Sequence, residues 1–410
     1  MQEAKEAPQY RFHLQRFLVF VILVLAVIGV ALYSFFRINP LDIFRAGFSG
    51  TYEQVLGAME ETNQKVIEIP TDGMPEQTSH AVLSDNIIVG SANSVKCFDK
   101  NGNQLWHVPV SLKKPLVQTQ GSDVLVADIG GRYFGVIRDG MILWDRTLDV
   151  DIVNAGIYEN WVLVITRSNQ AGYRRIIHAF SREGQSIVYR NVSDYYPFAI
   201  YHYPRFDHTA FIVCGIDARS LETTSLFEFL DLSMNQRGSI RDSQGREDLF
   251  AGALPFSGER LLLYGEKDLI CVGKDLGRIW HVDLGNDFLT SCGITPDDIT
   301  VAAVLDGEIL NREKRTLTRL KAIDSKGSVQ EWLVLDAEVT QIRAKGRTIA
   351  CAAGSEVYFL NGSGEVIDVY TSLSKVDSVC LASESLAYVS SGGKLTAVRI
   401  NVPKKFLGIF

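Results

Sequence analysis

Along most of the chain, apolar residues come in runs of four to six, broken by Gly, Asn, Asp or Ser, which is the pattern of short strands joined by tight turns. The clearest unit is residues 80–109, HAVLSDNIIVGSANSVKCFDKNGNQLWHVP, where HAVL, NIIVG, SVKCF and QLWHV read as four strands. In its last turn Asp99 can accept backbone hydrogen bonds and Gly102 can take φ > 0, as a tight hairpin requires. The same strand, turn and strand return at 134–144, 176–189, 226–240, 269–280, 320–332 and 357–369, and an eighth unit begins at 394–401. Equivalent turns start at Asp99, Arg138, Ser181, Asp231, Lys274, Asp324 and Asn361, spaced 37 to 50 residues apart. One four-stranded unit per period predicts an all-β fold, an eight-bladed β-propeller, with seven blades as the alternative because the fourth unit is irregular. The eighth unit lacks an outer strand, and KVIEIP (65–70) stands unpaired before the first unit. Pairing the two would close the ring without a free edge.

One stretch breaks this pattern. Residues 17–36, FLVFVILVLAVIGVALYSFF, hold no charge over 20 positions. As a helix they would extend roughly 30 Å, the thickness of a bilayer's hydrocarbon core, and would partition into it by about 5 kcal/mol. A cleaved signal peptide normally has a shorter apolar region, and here the small pair Gly29 and Ala31 sits inside the run instead of after it. The expected organisation is a cytoplasmic tail (1–16), a transmembrane signal anchor (17–36), a linker (37–63), the propeller (64–402) and a short tail (403–410). Lys5, Arg11 and Arg16 precede the anchor and only Arg37 and Arg45 follow closely, so the positive-inside rule keeps the N-terminus cytoplasmic and the propeller extracytoplasmic at the cell membrane.

Charge sharpens the division. The 410 residues carry a net −7, with five bases and three acids in residues 1–50, so the remainder carries −9. That balance excludes a nucleic-acid partner, which would need a basic footprint. The expected partners are the lipid bilayer, through residues 17–36, and a protein or an anionic envelope polymer.

The repeats, above all SHAVLSDNIIVGSANSVKCFDKNGNQLWHV (79–108), resemble those of PQQ-like propellers, the superfamily of quinoprotein dehydrogenases and of the lipoprotein scaffold of outer-membrane protein assembly. With the anchor added, the chain resembles an uncharacterised family of membrane-anchored PQQ-like propellers of Gram-positive bacteria. Trp106, Trp144, Trp280 and Trp332 follow the turn as in that superfamily, while four units lack the Trp. Quinoprotein dehydrogenases use an adjacent Cys-Cys pair, and no two cysteines are adjacent here, so no quinone or other cofactor is expected.

The residues offer little catalytic chemistry. No Gly-rich phosphate loop, HExxH, GxSxG or paired-carboxylate motif occurs. Cys97, Cys214, Cys271, Cys292, Cys351 and Cys380 all sit in apolar strand runs and read as small hydrophobes, Cys351 and Cys380 being the pair that neighbouring blades could join. His202, Asp207 and His208, in the aromatic stretch 195–208, are the weak metal candidate, weighed against an aromatic-rich turn with histidines at its rim. Connections between the second and third strands of a blade, and those between blades, emerge on one face. The long ones are 167–175, 215–225, 241–248 and 305–316. They place Arg167, Arg174, Arg175, Arg219, Arg312, Lys314 and Arg315 over blades three to six as a candidate binding face. The expected function is a protein-binding or scaffold module at the cell envelope, the alternative being an envelope enzyme acting on carbohydrate or cell-wall material in the channel.

Overall fold

The computed structural model describes residues 66–69, 78–203, 209–219, 223–241 and 249–402. The apolar run 17–36, the segments 1–16 and 37–63 around it, and residues 403–410 lie outside these. Among the described residues no helix is long and apolar enough to cross a membrane.

Eight antiparallel four-stranded sheets make up the propeller. Seven are continuous in sequence: 79–109, 115–147, 152–192, 196–241, 250–283, 288–335 and 339–371. The eighth, 376–399, takes its outer strand from Val66–Ile69, which pairs with Lys394–Arg399 in the register Val66 to Val398 and Ile69 to Leu395. In each blade the second and third strands read as near-continuous apolar runs because both of their faces are covered by neighbouring blades. The outermost strands are half exposed, and the core is a series of apolar clusters lying between blades.

Turn chemistry explains why the units repeat. At the last turn of blade one, Asp99 Oδ1 accepts from the backbone N–H groups of Asn101 and Asn103, both at 2.8 Å, and Gly102 takes φ 83°. Asp231, Asp324 and Asn361 cap their turns in the same way.

The residue that follows each turn then packs on the turn of the next blade. A Cβ placed on Gly140, Gly184, Gly327 or Gly364 would lie 2.3 to 2.7 Å from Trp106, Trp144, Trp280 or Trp332 respectively. The glycine is therefore the floor on which the previous blade's indole sits. At two of the interfaces that lack the Trp, the glycine is missing as well. Blade four has Gly238 at the Trp position and blade five has Leu276 at the turn, at φ 64°, with the leucine methyl group 2.6 Å from where a Gly238 Cβ would be. Blade three has Val188, and blade four answers with Met234 at φ 64°, buried in the same apolar cluster. At the closure Ile67 lies on Gly102 of blade one, and Asp368 of blade seven accepts from Asn401 N at 2.8 Å. Six of the eight interfaces thus conserve volume by a large-on-small or small-on-large pair.

This complementarity is testable. Gly184→Leu is expected to cost about 3 kcal/mol, from left-handed strain and overpacking against Trp144. Adding Trp144→Gly, which rebuilds the Gly238 and Leu276 arrangement, should return at least about 1 kcal/mol of that loss in a denaturant double-mutant cycle. Strict additivity of the two losses would refute the pairing.

Candidate interaction face

The long connections emerge where the topology puts them, and side chains from different blades decide what each arginine does. At the junction of blades three and four, Arg174 lies 4.7 Å over the Tyr196 ring and its Nη1 donates to the Tyr196 hydroxyl oxygen at 2.5 Å. Arg175 flanks the same ring at 5.7 Å. The Arg174 backbone N–H donates to Val192 O at 2.7 Å, extending the hairpin of blade three outward so that both guanidinium groups stand beside blade four. Arg175 Nε is buried without a hydrogen-bond partner, and burial, reinforced by the positive charge of Arg167, lowers its pKa. Neither Arg174 nor Arg175 meets a carboxylate among the described residues. Tyr173 and Tyr196 remain substantially exposed around them.

The other candidate arginines are tied down. Arg219 donates to Asp217 through Nε at 2.9 Å and Nη2 at 2.7 Å, and approaches Asp194 at 3.9 Å. Arg241 adds a bond to Asp217 at 3.0 Å. Hydrogen bonds from Arg219 first, then Arg241, outweigh burial and hold the Asp217 carboxyl well below the usual carboxylate range. Arg167 lies 3.9 Å from Asp151, which it shares with Arg132 at 3.6 Å. In blade six the segment read as a plain loop contains a short helix, α1 (Gly307–Glu313), capped by Asp306, whose carboxylate accepts from Ile309 N at 2.9 Å. Arg312 pairs with Glu308 along that helix, Lys314 ends it at φ 55°, and Arg315 faces Asp336 at 3.8 Å. Among the described residues no ion pair joins these three residues to the arginines of blades three and four, so the basic face resolves into one arginine pair without a carboxylate and several arginines held by carboxylates.

Beneath the cluster lies a polar cleft of about 90 Å³ lined by Arg190, Asp194, Tyr195, Glu228 and Arg241. The buried Tyr195 hydroxyl donates to one Glu228 oxygen, and Arg190 donates to the other at 2.7 Å. Burial, then the Glu228 charge, raises the pKa of the Tyr195 phenol. This bond set locks blade three to blade four at Tyr195, the residue before Tyr196.

His202 is an aromatic packing residue, with its ring 5.9 Å from Phe211, 6.2 Å from Tyr158 and 6.3 Å from Trp161, and burial lowers its pKa. Asp207 and His208 lie outside the described residues. Among the described residues no group of three His, Cys, Asp or Glu side chains is placed to hold a metal ion. All six cysteines are free, including Cys351 and Cys380.

Comparison with known proteins extends the structural picture. The sequence profile of a family of unknown function, DUF5711, matches residues 60–239. No curated protein matches the chain. Among solved structures, BamB from Moraxella catarrhalis superposes with a TM-score of 0.54 at 14% identity, covering 82% of this chain and all of that one. Sqt1 from Saccharomyces cerevisiae gives 0.60 at 10% identity, covering 80% and 97% of the two chains. The quinohemoprotein alcohol dehydrogenase ADHIIG from Pseudomonas putida HK5 gives 0.56 at 9% identity, covering 83% and 76%. Identities this low speak for the fold alone. The chain is an eight-bladed, all-β propeller that shares its fold with these structures, and its first four blades are similar to a family of unknown function.

Proposed function

We propose that this propeller is a protein-binding scaffold module, held at the outer side of the cell membrane by residues 17–36, and that it engages an anionic protein surface through blades three and four. One observation carries the binding reading: Arg174 and Arg175 stand together on an exposed tyrosine without a carboxylate partner among the described residues. Arginine and tyrosine dominate interface hot spots because they bring large area and directional donors at low entropy cost. A partner carboxylate would remove the cost of holding two unpaired guanidinium groups side by side. The membrane reading rests on the uncharged length of residues 17–36 and the lysine and arginines before it.

Crosslinking of the full chain in its native membrane, followed by partner recovery, tests both halves. Arg174→Ala with Arg175→Ala should reduce recovery about tenfold or more, and replacing 215–225 with a short turn should reduce it less. Unchanged recovery from the double arginine variant overturns the face. Recovery of the chain in the soluble fraction after lysis, with residues 1–36 intact, overturns the anchor.

A further inference from the structure

Side chains tie each innermost strand to the blade before it, with one gap. Val117 N donates to Ser79 Oγ at 3.1 Å, Ile157 N to Gln118 Oε1 at 3.4 Å, and Asn154 Nδ2 to Phe198 O at 2.8 Å. In blade five Phe250 N donates to Ser225 Oγ at 2.9 Å. Further round, Ile342 N meets Ser291 Oγ at 3.0 Å, Val379 N meets Gln341 Oε1 at 2.6 Å, and Ser378 Oγ lies 3.4 Å from His80 Nδ1. The innermost strand of blade six, Phe288–Ile294, takes no side-chain hydrogen bond from blade five among the described residues. It is joined to that blade near its start, where Leu289 N donates to Glu266 O at 2.6 Å. The two blades meet again past its end, where Asp298 accepts from Ser257 N and Ser257 Oγ, both at 2.7 Å, and from Arg260 Nη2 at 2.8 Å.

At this gap the ends of the innermost strands of blades five, six and seven line a cavity of about 290 Å³. It opens among the turns that join the first and second strands of those blades. Successive strands are antiparallel, so this face is opposite the one that carries Arg174 and Arg175. The apolar part of the lining is Pro255, Phe256, Ile294 and Ala344.

The polar groups of the same cavity are unbalanced toward donors. Asp298, its one carboxylate, is already engaged by Ser257 and Arg260. Thr295 is 5% exposed, and its hydroxyl oxygen accepts from Ile299 N at 3.1 Å. Its proton meets no protein acceptor among the described residues. Lys345 is exposed where its strand ends at the cavity and pairs with no carboxylate among the described residues. Two further acids stand near but outside the lining: Asp297 is exposed in the blade-six turn, and Glu384 of blade eight accepts from Arg347 N at 2.7 Å. A buried hydroxyl donor and an ammonium group thus border an apolar hollow whose carboxylate is in use.

We propose that this cavity binds a small organic anion, with its carboxylate or phosphate oxygens held by Lys345 and Thr295 and its apolar body against Phe256, Ile294 and Ala344. The volume admits about ten to twelve non-hydrogen atoms at interior packing density, fewer than a drug-sized ligand. A ligand oxygen would give the buried Thr295 proton the acceptor it lacks. The lysine ammonium is a compact charge with three donors, which suits a carboxylate and a phosphate alike. Because the blades carry an excess of acid, the anion is retained by these local donors and by apolar contact, not by the general field.

Ligand-observed NMR titration of the full chain with phenylacetate, phenyl phosphate and the neutral phenylacetamide tests the proposal, with detergent alone as the background. At least one of the two anions should bind saturably with a Kd below about 5 mM and at least about fivefold more tightly than the amide. The tighter anion identifies the oxygen source as carboxylate or phosphate. Lys345→Gln should weaken that anion by about tenfold and Thr295→Val by about threefold, while Lys345→Arg keeps most of the affinity. Lys345 is exposed, so its two variants should keep the wild-type thermal midpoint in anion-free buffer, and the series is readable if Thr295→Val folds poorly. The Arg174→Ala and Arg175→Ala variant, altered on the opposite face, should bind the anion as wild type does. Absence of saturable binding by either anion below about 5 mM overturns the proposal, as does amide binding as tight as that of both anions or equal affinity in wild type and Lys345→Gln.

Discussion

Replacing Ile69 with Asp is expected to open the ring. Ile69 is 1% exposed and packs with Ile87, Phe98, Leu386 and Tyr388, so its side chain fastens the strand Val66–Ile69 between the last blade and the first. The neutral truncation Ile69→Ala should already cost about 3 kcal/mol. An aspartate there must leave the core or bury an unpaired charge, and either outcome unpairs the strand from Lys394–Arg399. The freed edge of Lys394–Arg399 then offers a row of unsatisfied backbone groups to other chains. The measurable result is a lower denaturation midpoint together with concentration-dependent oligomers in sedimentation. Val66→Asp is the control, since Val66 is on the same strand and 48% exposed, and it should change both readings little. Equal effects at the two positions would show that the buried contact of Ile69 does not secure the closure.

The repeat could be read from the sequence because its turns carry their own chemistry. Asp99, Asp231 and Asp324 announce a capped turn, and the Trp after four of the turns marks the outer strand. The rule behind the Trp was harder to see. Trp144 and Gly184 belong to different blades, and the inverted pair Gly238 and Leu276 looks like two unrelated irregularities until the blades are stacked. The same limit applied to the binding face. The long connections were visible as polar insertions, but their neutralisation was not, because Asp151 and Asp336 reach Arg167 and Arg315 from other connections. Arg174 and Arg175 stand apart only once Tyr196, from the next blade, is seen under them. The helix Gly307–Glu313 was hidden for a different reason, since a two-turn helix between strands is short enough to read as a charged loop despite its Asp306 cap.

Removing the Asp123 carboxylate is expected to uncouple blade two from blade three. Its side chain is fully buried, and it receives Arg138 Nε at 2.6 Å and Arg138 Nη2 at 2.9 Å from its own blade. From the turn of blade three Arg182 donates Nε at 2.8 Å to the same carboxylate, and also donates to the carbonyls of Gln120, Tyr158 and Glu159. Arg182 is thus a pin across the interface, and Asp123 is the only carboxylate it holds among the described residues. Asp123→Ala leaves the mostly buried Arg182 without its counter-ion and should cost about 3 kcal/mol, a figure discounted because Arg138 can turn to solvent. The pH dependence follows from the sign of the shift. Burial alone would raise the Asp123 pKa, but the hydrogen bonds from Arg138 and Arg182 outweigh it and hold the folded-state value below the ordinary 3.8. The carboxylate therefore contributes fully above that ordinary value, and its contribution is lost as the pH falls below 3.8 toward the depressed one. Urea denaturation of wild type and Asp123→Asn should show a stability gap that is constant from about pH 7 to about pH 5 and narrows below about pH 4. A gap as wide at about pH 3 as at neutrality would mean that packing, and not the charge, joins the two blades at this point.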